Sequence, residues 1–179
     1  MFKDFLSGER FKLLIRKVEE DDLQDILTIY NQGIEDRIAT LEMEQKDAAY
    51  IKFWFQNHQS RYCAILAENK EGKVVGWASI SQYNARPAYD GVGELSIYVH
   101  RDYRGKGVGK LLLKRIEHEA ISNQFYKLVL FTFPFNELGQ GLYHKMKYRE
   151  VGIFKNQGIV DGQFVDIMIM EKLLFPSES

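Results

Sequence analysis

The segment RGKGVGK, from Arg104 to Lys110, combines one arginine and two lysines with three glycines at alternate positions. It separates a strand-like run from a pattern typical of an amphipathic helix. A helix start exposes unpaired backbone N–H groups and the positive end of the helix dipole. Glycines let a phosphate or pyrophosphate approach those groups without a Cβ in the way. The segment therefore predicts an anion site, with Arg104, Lys106 and Lys110 adding positive charge.

Three phosphate-binding patterns compete for this segment. A P-loop requires Ser or Thr directly after Gly-Lys, and here a glycine follows instead. The dinucleotide pattern G-x-G-x-x-G also fails, because Lys110 or Leu112 stands where the third glycine would fall. The third pattern, R-x-x-G-x-G, is matched by Arg104, Gly107 and Gly109. A basic surface turn without a ligand is the alternative, but the strand before the motif and the helix after it favour a binding turn.

Hydrophobic periodicity places this turn among strands and helices. Strands are predicted where apolar residues alternate or run without interruption, at 11–18, 61–68, 73–81, 93–100, 126–133, 148–154 and 163–173. Helices are predicted at 21–33, 47–58, 108–120 and, weakened by two glycines, 136–147. Residues 69–72 (NKEG) predict a hairpin turn with Gly72 at positive φ. A strand-helix-strand unit among hairpins predicts a mixed sheet and an α/β or α+β fold.

Composition restricts the classes of protein that fit. No repeat, low-complexity tract or linker divides the chain, so residues 1–179 are expected to form a single domain with its core at about 11–174. The formal net charge of −1 argues against nucleic acid as the main partner. No apolar run approaches the roughly 18 residues of a membrane helix, and the N-terminus lacks a signal-peptide pattern, so no membrane partner is expected.

The cysteine and the histidines point away from redox and metal chemistry. Cys63 is the single cysteine and lies in an apolar run, so it is expected to be a buried small hydrophobe in a reducing cytoplasm. His58, His100 and His118 lack the spacing of metal ligands. No metal is therefore implied.

The R-x-x-G-x-G segment resembles the pyrophosphate-binding motif of the Gcn5-related N-acetyltransferases. The likeness covers about Leu14 to Leu174 and is strongest to the phosphinothricin (methionine sulfoximine) acetyltransferase branch. The stretches that carry it are ILTIYNQGI, IATLE, RPAYDGVGELSIYVHRDYRGKGVGKLLL, FNELGQGLYHKMKYREVG and DGQFVDIMIM. The resemblance implies one N-acetyltransferase domain with a mixed sheet that splays after the family's fourth strand, and acetyl-CoA in the cleft.

Matched position by position, the resemblance also implies the acetyl-CoA contacts. Main-chain groups of Ile97, Tyr98 and Val99 would bind the pantetheine arm at the strand edge that the splay leaves open. The turn would hold the pyrophosphate through Arg104, Gly105, Lys106, Gly107, Val108, Gly109 and Lys110. Asn136 and Lys145 would contact the coenzyme further along; a helix cap and a solvated face are the alternatives for these two.

The implied reaction is attack of an amine on the acetyl thioester. The amine must be neutral, although the pKa is about 7.7–8.0 for an α-amine and about 10.4 for a lysine. A carboxylate at the mouth of the cleft can take the proton through a water. Glu94 stands where the family has such a glutamate, and a main-chain N–H near Ile97 would stabilise the oxyanion. Tyr143 is the candidate acid for the leaving thiolate; a core aromatic is the alternative.

The acceptor side is implied by the same match. Arg86 would clamp an amino acid's carboxylate in a bidentate pair, and the family's substrate-contacting positions fall on Asn84, Ala85, Leu95 and Ser96. The expected function is acetyl transfer to the primary amine of a small amino-acid-like molecule. Two alternatives stay open: a protein N-terminal or lysine acetyltransferase of the same fold, and a non-catalytic acetyl-CoA-binding module. Related proteins are often two-fold dimers, so a homodimer is compatible with the sequence.

Overall fold

The computed structural model describes residues 4–8 and 11–175. Within them, eight strands and four helices follow in the order β1 (Asp4–Gly8), β2 (Phe11–Lys17), α1 (Leu23–Glu35), α2 (Ala48–Gln56), β3 (Ala64–Glu68), β4 (Val74–Gln82), β5 (Val92–Val99), α3 (Val108–Ser122), β6 (Lys127–Thr132), α4 (Glu137–Lys145), β7 (Arg149–Val160) and β8 (Gln163–Leu173). Except for β1, this is the predicted order. None of these helices is both long and apolar enough to cross a bilayer.

The strands form one mixed sheet in the order β1-β2-β3-β4-β5-β6-β8-β7. β5 and β6 run parallel and are joined through α3. The other neighbouring strands pair antiparallel. The hairpin turn between β3 and β4 has Gly72 at φ +79°, as predicted. The predicted mixed α/β sheet is therefore confirmed.

β5 and β6 part after a short contact. β5 pairs with β4 from Gly93 to Val99. Its pairing with β6 ends where Glu94 lies opposite Val129. The rest of β5 therefore presents one open edge, which is the predicted splay, and Glu94 lies where the two strands separate.

Two apolar clusters cover the two faces of the sheet, because successive side chains of a strand point to opposite faces. On β3, Ile65 packs with the α3 side of the sheet, whereas Leu66 packs with α1 and α2. α3 contributes its buried stripe, which includes Leu112 and Ile116, to the first cluster. The helices therefore fix the position of the central strands from both sides.

The same alternation sorts the side chains of β5. Leu95 belongs to the α3 cluster, while Tyr98 packs against the α1 and α2 cluster. Glu94 and Ser96 have the same parity as Tyr98 and so lie on its face of the sheet. This face carries the candidate base and part of the expected acceptor region.

Three local expectations need correction. The run at 4–8 carries no strand pattern, yet β1 forms because it pairs with β2, from Asp4 opposite Ile15 to Gly8 opposite Phe11. Gly33 does not end the first helix, since α1 continues to Glu35. Instead, Gly33 packs closely against an aromatic ring: a Cβ there would lie 3.1 Å from the ring of Tyr98. β7 extends beyond residue 154 to Val160 through an irregular stretch of its pairing with β8.

Candidate active site

A groove of about 450 Å³ follows the open edge of β5 and reaches the start of α3. Its walls come from the end of α1, the second half of β5, the glycine turn and α4. Most of the predicted coenzyme positions line it: Ile97, Tyr98, Val99, Arg104, Gly105, Gly107, Gly109, Lys110, Asn136 and Lys145. The fold thus brings together segments that lie far apart in sequence, from Gly33 at the end of α1 to Lys145 at the end of α4.

The glycine turn has the backbone geometry that its composition suggests. Gly105 and Gly107 adopt φ of +73° and +89°, the left-handed region that side chains with a Cβ enter only with strain. Gly107 is the N-cap of α3, and its carbonyl accepts the first helical hydrogen bond, from Leu111 N at 3.3 Å. The N–H groups of residues 108–110 are therefore unpaired at the helix start, which suits an anion.

Arg104 is held by an ion pair inside the protein. Its Nη1 lies 2.5 Å from Asp36 Oδ2, and its Nε donates to the Val99 carbonyl at 3.1 Å. Asp36 also accepts from Arg101 at 2.7 Å. Hydrogen bonds from Arg101, and then from Arg104, hold the pKa of the Asp36 carboxyl below its usual value. The ion pairs of Asp36 with Arg101 and Arg104 connect the end of α1 to the glycine turn. Arg104 therefore fixes the position of the groove wall and also adds a positive charge to it.

Two predicted coenzyme positions lie outside the groove wall. The Val108 side chain is buried in the α3 cluster, so only its main chain faces the helix start. The Lys106 ammonium lies 5.4 Å from the centroid of the Tyr103 ring. Lys110 is thus the lysine of the turn that lines the groove.

Asn136 caps a helix and also lines the groove. Its Oδ1 accepts from Gly139 N at 3.0 Å and caps α4, while its Nδ2 donates to Thr132 Oγ1 at 3.3 Å. The cap therefore fixes the start of α4 against β6, and Lys145 lies near the end of the same helix.

Tyr143 lines the groove from α4. Burial raises the pKa of its phenol to about 12, so the hydroxyl keeps its proton at neutral pH. The ring lies 5.8 Å from that of Tyr148. Its neighbour His144 points elsewhere and pairs with Glu150 at 3.2 Å, at the surface. A protonated phenol in this wall can donate a proton or a hydrogen bond.

Glu94 is half-buried at the parting of β5 and β6. Burial raises the pKa of its carboxyl, which brings its basicity closer to that of an amine. It lies opposite Ser81 of β4. Within the described chain, no hydrogen bond or ion pair occupies this carboxylate. It is therefore a basic group with free lone pairs on β5, three residues before Ile97, the first residue of β5 that lines the groove.

The predicted acceptor residues lie in three different environments. Asn84, Ala85 and Arg86 are exposed in the β4–β5 connection, where Asn84 Oδ1 accepts from Arg86 N at 3.0 Å. The Leu95 side chain is only 4% exposed and packs in the α3 cluster, so only its main chain could reach a substrate. Ser96 lines a second, smaller cavity on the α1 and α2 face. The structure does not bring these five side chains together.

Some groove residues had no signal in the sequence. Gly33, Ile38 and Ala39 contribute one wall, and Leu138 and Leu142 of α4 contribute another. The two glycines that weaken α4 in the sequence, Gly139 and Gly141, also line the groove. The α1 wall could not be found from local pattern, since it depends on how α1 packs against β5.

The other residue types that could do chemistry, metal-ligand clusters and cysteine, do not form a reactive site in the described structure. No cluster of three His, Cys, Asp or Glu suited to a metal ion is present within residues 4–8 and 11–175. Cys63 is buried, and burial raises the pKa of its thiol to about 11, so it is not a ready nucleophile. Tyr143 lines the groove, and Glu94 lies on β5 near it; both are titratable groups whose pKa burial raises.

An open strand edge, a helix-start anion site and a continuous groove between them suit an extended ligand that carries a pyrophosphate. A coenzyme A thioester has this form. Residues 22–148 match the model of the Acetyltransferase (GNAT) family. The chain belongs to this family, and is thus an acetyl-CoA-dependent N-acetyltransferase.

Several named relatives are phosphinothricin or methionine sulfoximine acetyltransferases. YwnH of Bacillus subtilis, provisionally assigned as a phosphinothricin acetyltransferase, is 32% identical over 90% of this chain and 99% of its own length. The L-methionine sulfoximine/L-methionine sulfone acetyltransferase of Pseudomonas aeruginosa is 28% identical over 92% and 96%. The phosphinothricin acetyltransferase of Sinorhizobium meliloti, solved in complex with acetyl-CoA, superposes with a TM-score of 0.85 at 25% identity, covering 90% of this chain and 88% of that one. The chain is similar to all three.

Proposed function

We propose that this enzyme acetylates the primary amine of a small amino-acid-like substrate of the phosphinothricin or methionine sulfoximine type, by direct attack through a tetrahedral intermediate. The observation that carries the proposal is the half-buried, unpaired Glu94 carboxylate at the inner end of the open β5 edge. The activities named for the relatives in Bacillus subtilis and Pseudomonas aeruginosa support this class of acceptor.

Glu94 acts as the general base. An α-amine is largely protonated at neutral pH and must lose a proton to become a nucleophile. Because burial raises the pKa of Glu94, its carboxylate is a better proton acceptor than an exposed glutamate would be. A bridging water connects the carboxylate to amines that do not contact it directly.

The groove binds acetyl-CoA mainly through main chain. The open edge of Ile97 to Val99 bonds the pantetheine arm as an added strand would. The N–H groups at the start of α3 hold the pyrophosphate, and Lys110 adds charge beside them. A main-chain N–H near Ile97 stabilises the oxyanion of the intermediate. Asn136 and Lys145 contact the coenzyme from α4.

Tyr143 protonates the thiolate as it leaves. Its phenol lines the groove and stays protonated because burial raises its pKa. A thiolate released into a buried groove needs either a proton or a hydrogen bond. Arg86 is assigned to the substrate's carboxylate, since it is exposed at the acceptor end of the molecule, two residues beyond Asn84.

The proposal also includes a homodimeric assembly and a cytoplasmic location. Large apolar side chains are exposed on the β7–β8 hairpin, including Phe154, Ile159 and Phe164, and would be buried in a homodimer. Light scattering on size-exclusion fractions tests that state, and Phe164→Glu should shift it towards monomer. Cys63 is free and buried, which suits a reducing cytoplasm. Residues 1–179 are taken as one acetyltransferase domain.

Thiol release from acetyl-CoA against a panel of amines tests the function. The panel contains methionine sulfone, methionine sulfoximine, phosphinothricin, free amino acids, polyamines and a short peptide with a free N-terminus. Glu94→Gln is the matched control, because it keeps the shape of the side chain and removes the base. We expect turnover with amino acids and its loss in the control.

Two other results would redirect the assignment. Turnover restricted to the peptide would replace the small-amine acceptor with a protein N-terminus or a lysine side chain. Tight acetyl-CoA binding without turnover on any amine would leave a non-catalytic binding module. Arg86→Ala should raise KM for amino acids and leave KM for polyamines, which lack a carboxylate, unchanged.

A further inference from the structure

A second cavity of about 120 Å³ lies on the α1 and α2 face of the sheet. Aromatic rings from both helices and both central strands surround it, and three serine hydroxyls face it from β4 and β5. The residues are Tyr30, Tyr50, Trp54, Trp77, Tyr98, Ser79, Ser81 and Ser96. Its volume suits a group of about four non-hydrogen atoms.

The cavity adjoins the proposed base. Ser96 follows Glu94 by two residues on the same face of β5, and Ser81 lies opposite Glu94 on β4. Tyr98 lines both this cavity and the coenzyme groove, so one aromatic ring separates the two. An amine held at Glu94 would therefore carry its side chain into or past this cavity.

Two buried hydrogen-bonding groups of the wall have no partner. Trp77 is 3% exposed and Ser79 is 1% exposed, and neither Trp77 Nε1 nor Ser79 Oγ makes a hydrogen bond with any residue that the structure describes. A buried unpaired donor costs about 1–3 kcal/mol. Because an indole N–H can only donate, the group that would satisfy it must be an acceptor.

The hydroxyl of Ser81, another serine of the cavity wall, is held by a hydrogen bond to His58. His58 Nδ1 lies 2.7 Å from the Trp54 carbonyl, which can only accept, so Nδ1 carries the proton. His58 Nε2, at 3.0 Å from Ser81 Oγ, then accepts the serine's hydrogen. Burial lowers the pKa of His58, which keeps the ring neutral. The described residues that line the cavity include no charged side chain.

We propose that this cavity is the subsite for the acceptor's side chain, and that it selects a compact, uncharged end group bearing acceptor oxygens over an anionic group of the same shape. The inference rests on the proposed function, since it places the amine at Glu94. The Trp77 N–H and the Ser79 hydroxyl donate to the oxygens, and the rings contact the apolar part. A buried anion would find no cation here.

Isosteric pairs of substrates test the selection by charge. Methionine sulfone and phosphinothricin share the same stem and a four-atom end group but differ in charge. Glutamine and glutamate form a second pair of equal shape and different charge, with a three-atom end group. We expect kcat/KM to favour the neutral member of each pair at least about tenfold, through KM.

Ser79→Ala should raise KM for the neutral members about fivefold, with kcat at saturation and KM for acetyl-CoA unchanged. Ser122→Ala, at the exposed end of α3, is the matched control.

Tryptophan fluorescence reports occupancy without turnover, because both tryptophans of the chain, Trp54 and Trp77, line the cavity. We expect a saturable change with methionine sulfone that weakens in Ser79→Ala. Such a change without acetylation would overturn the proposed reaction and keep the subsite. Acetylation with less than threefold discrimination in both pairs, and no fluorescence change, would overturn the subsite and leave a water-filled gap. Silence in both measurements would overturn both.

Discussion

The proposed coenzyme half of the cleft relies on main-chain groups, whereas the proposed acceptor half relies on side chains from separate elements. On the coenzyme side, an open strand edge and three helical N–H groups are expected to do most of the binding, and their geometry depends on where glycines stand. On the acceptor side, Glu94, Ser81 and Ser96 come from two strands, and Arg86 comes from an exposed connection.

This difference explains which half of the site a sequence reveals. A main-chain site needs particular residues only where φ is positive or a Cβ would intrude, so it leaves a short local motif. A side-chain site depends on which residues the fold brings together, and these can lie far apart. The coenzyme should therefore be easier to assign than the acceptor, and substitutions should separate the two halves cleanly.

The largest expected effect on coenzyme binding comes from Gly107→Ala. Residue 107 has φ of +89° at the start of α3, so a Cβ there costs about 1–2 kcal/mol and displaces the N–H groups that face the pyrophosphate. We expect the acetyl-CoA Kd to rise at least about tenfold in a calorimetric titration. Gly72→Ala is the control, because Gly72 has φ of +79° in a distant hairpin. A similar loss of affinity in both variants would mean that only general stability was lost.

The positive charge of the glycine turn should contribute less to acetyl-CoA affinity than the backbone geometry at Gly107 does. Lys110→Ala removes the lysine of the turn that lines the groove, and an exposed charge contact of this kind is screened by solvent. We expect the acetyl-CoA Kd to rise about three- to tenfold at low ionic strength, and the difference to shrink as salt is added. Lys114→Ala, one helical turn further on, should have no effect. An equal rise of the acetyl-CoA Kd in both variants would mean that the two lysines act through the general positive potential of the helix start, and that Lys110 makes no specific contact.

Glu94→Gln should stabilise the fold at alkaline pH. Burial raises the pKa of Glu94, so the folded state binds the proton more tightly than the unfolded state. Stability is therefore lost as pH rises through the folded-state pKa, and glutamine removes that loss. The Tm of the variant should match that of the wild type near pH 4 and exceed it at pH 8. A wild-type protein that is more stable than the variant at pH 8 would show that the carboxylate has a stabilising partner.

The smallest effect is expected outside both halves of the cleft. Lys147 has φ of +65° in the turn after α4, a conformation that glycine adopts without strain. Lys147→Gly should raise the free energy of unfolding by about 0.5 kcal/mol, measured by urea denaturation. Lys114→Gly, in the middle of α3, should lower it by about 1 kcal/mol. A loss at both positions would mean that the backbone at 147 is not strained.

The sequence predicted the elements well and the contacts between elements less well. The mixed sheet, the glycine turn and the stripe of α3 all have local patterns with a clear period. β1 did not, because residues 4–8 become a strand only by pairing with β2. The sequence pattern predicts a helix end at Gly33, whereas in the structure Gly33 is a point of close packing against Tyr98.

Similar limits apply to the site. The resemblance assigns Glu94, Tyr143 and the coenzyme positions, and most of those coenzyme positions line one groove, since the resemblance follows the chain through those segments. It could not anticipate that Arg104 is bound to Asp36 or that the Leu95 side chain points into the core. The second cavity had no signal either, because its walls come from α1, α2, β4 and β5.

The central claim is that coenzyme binding and acceptor chemistry depend on different residues, and that Glu94 is the general base of the reaction. The most direct test measures acetyl-CoA affinity and turnover on the same preparations of wild type and Glu94→Gln, with the best amine of the panel. We predict equal Kd values for acetyl-CoA and a fall in kcat of about 10²–10⁴-fold. Turnover within about threefold of the wild type would contradict Glu94 as the base, and a matching loss of acetyl-CoA affinity would contradict the division of the cleft.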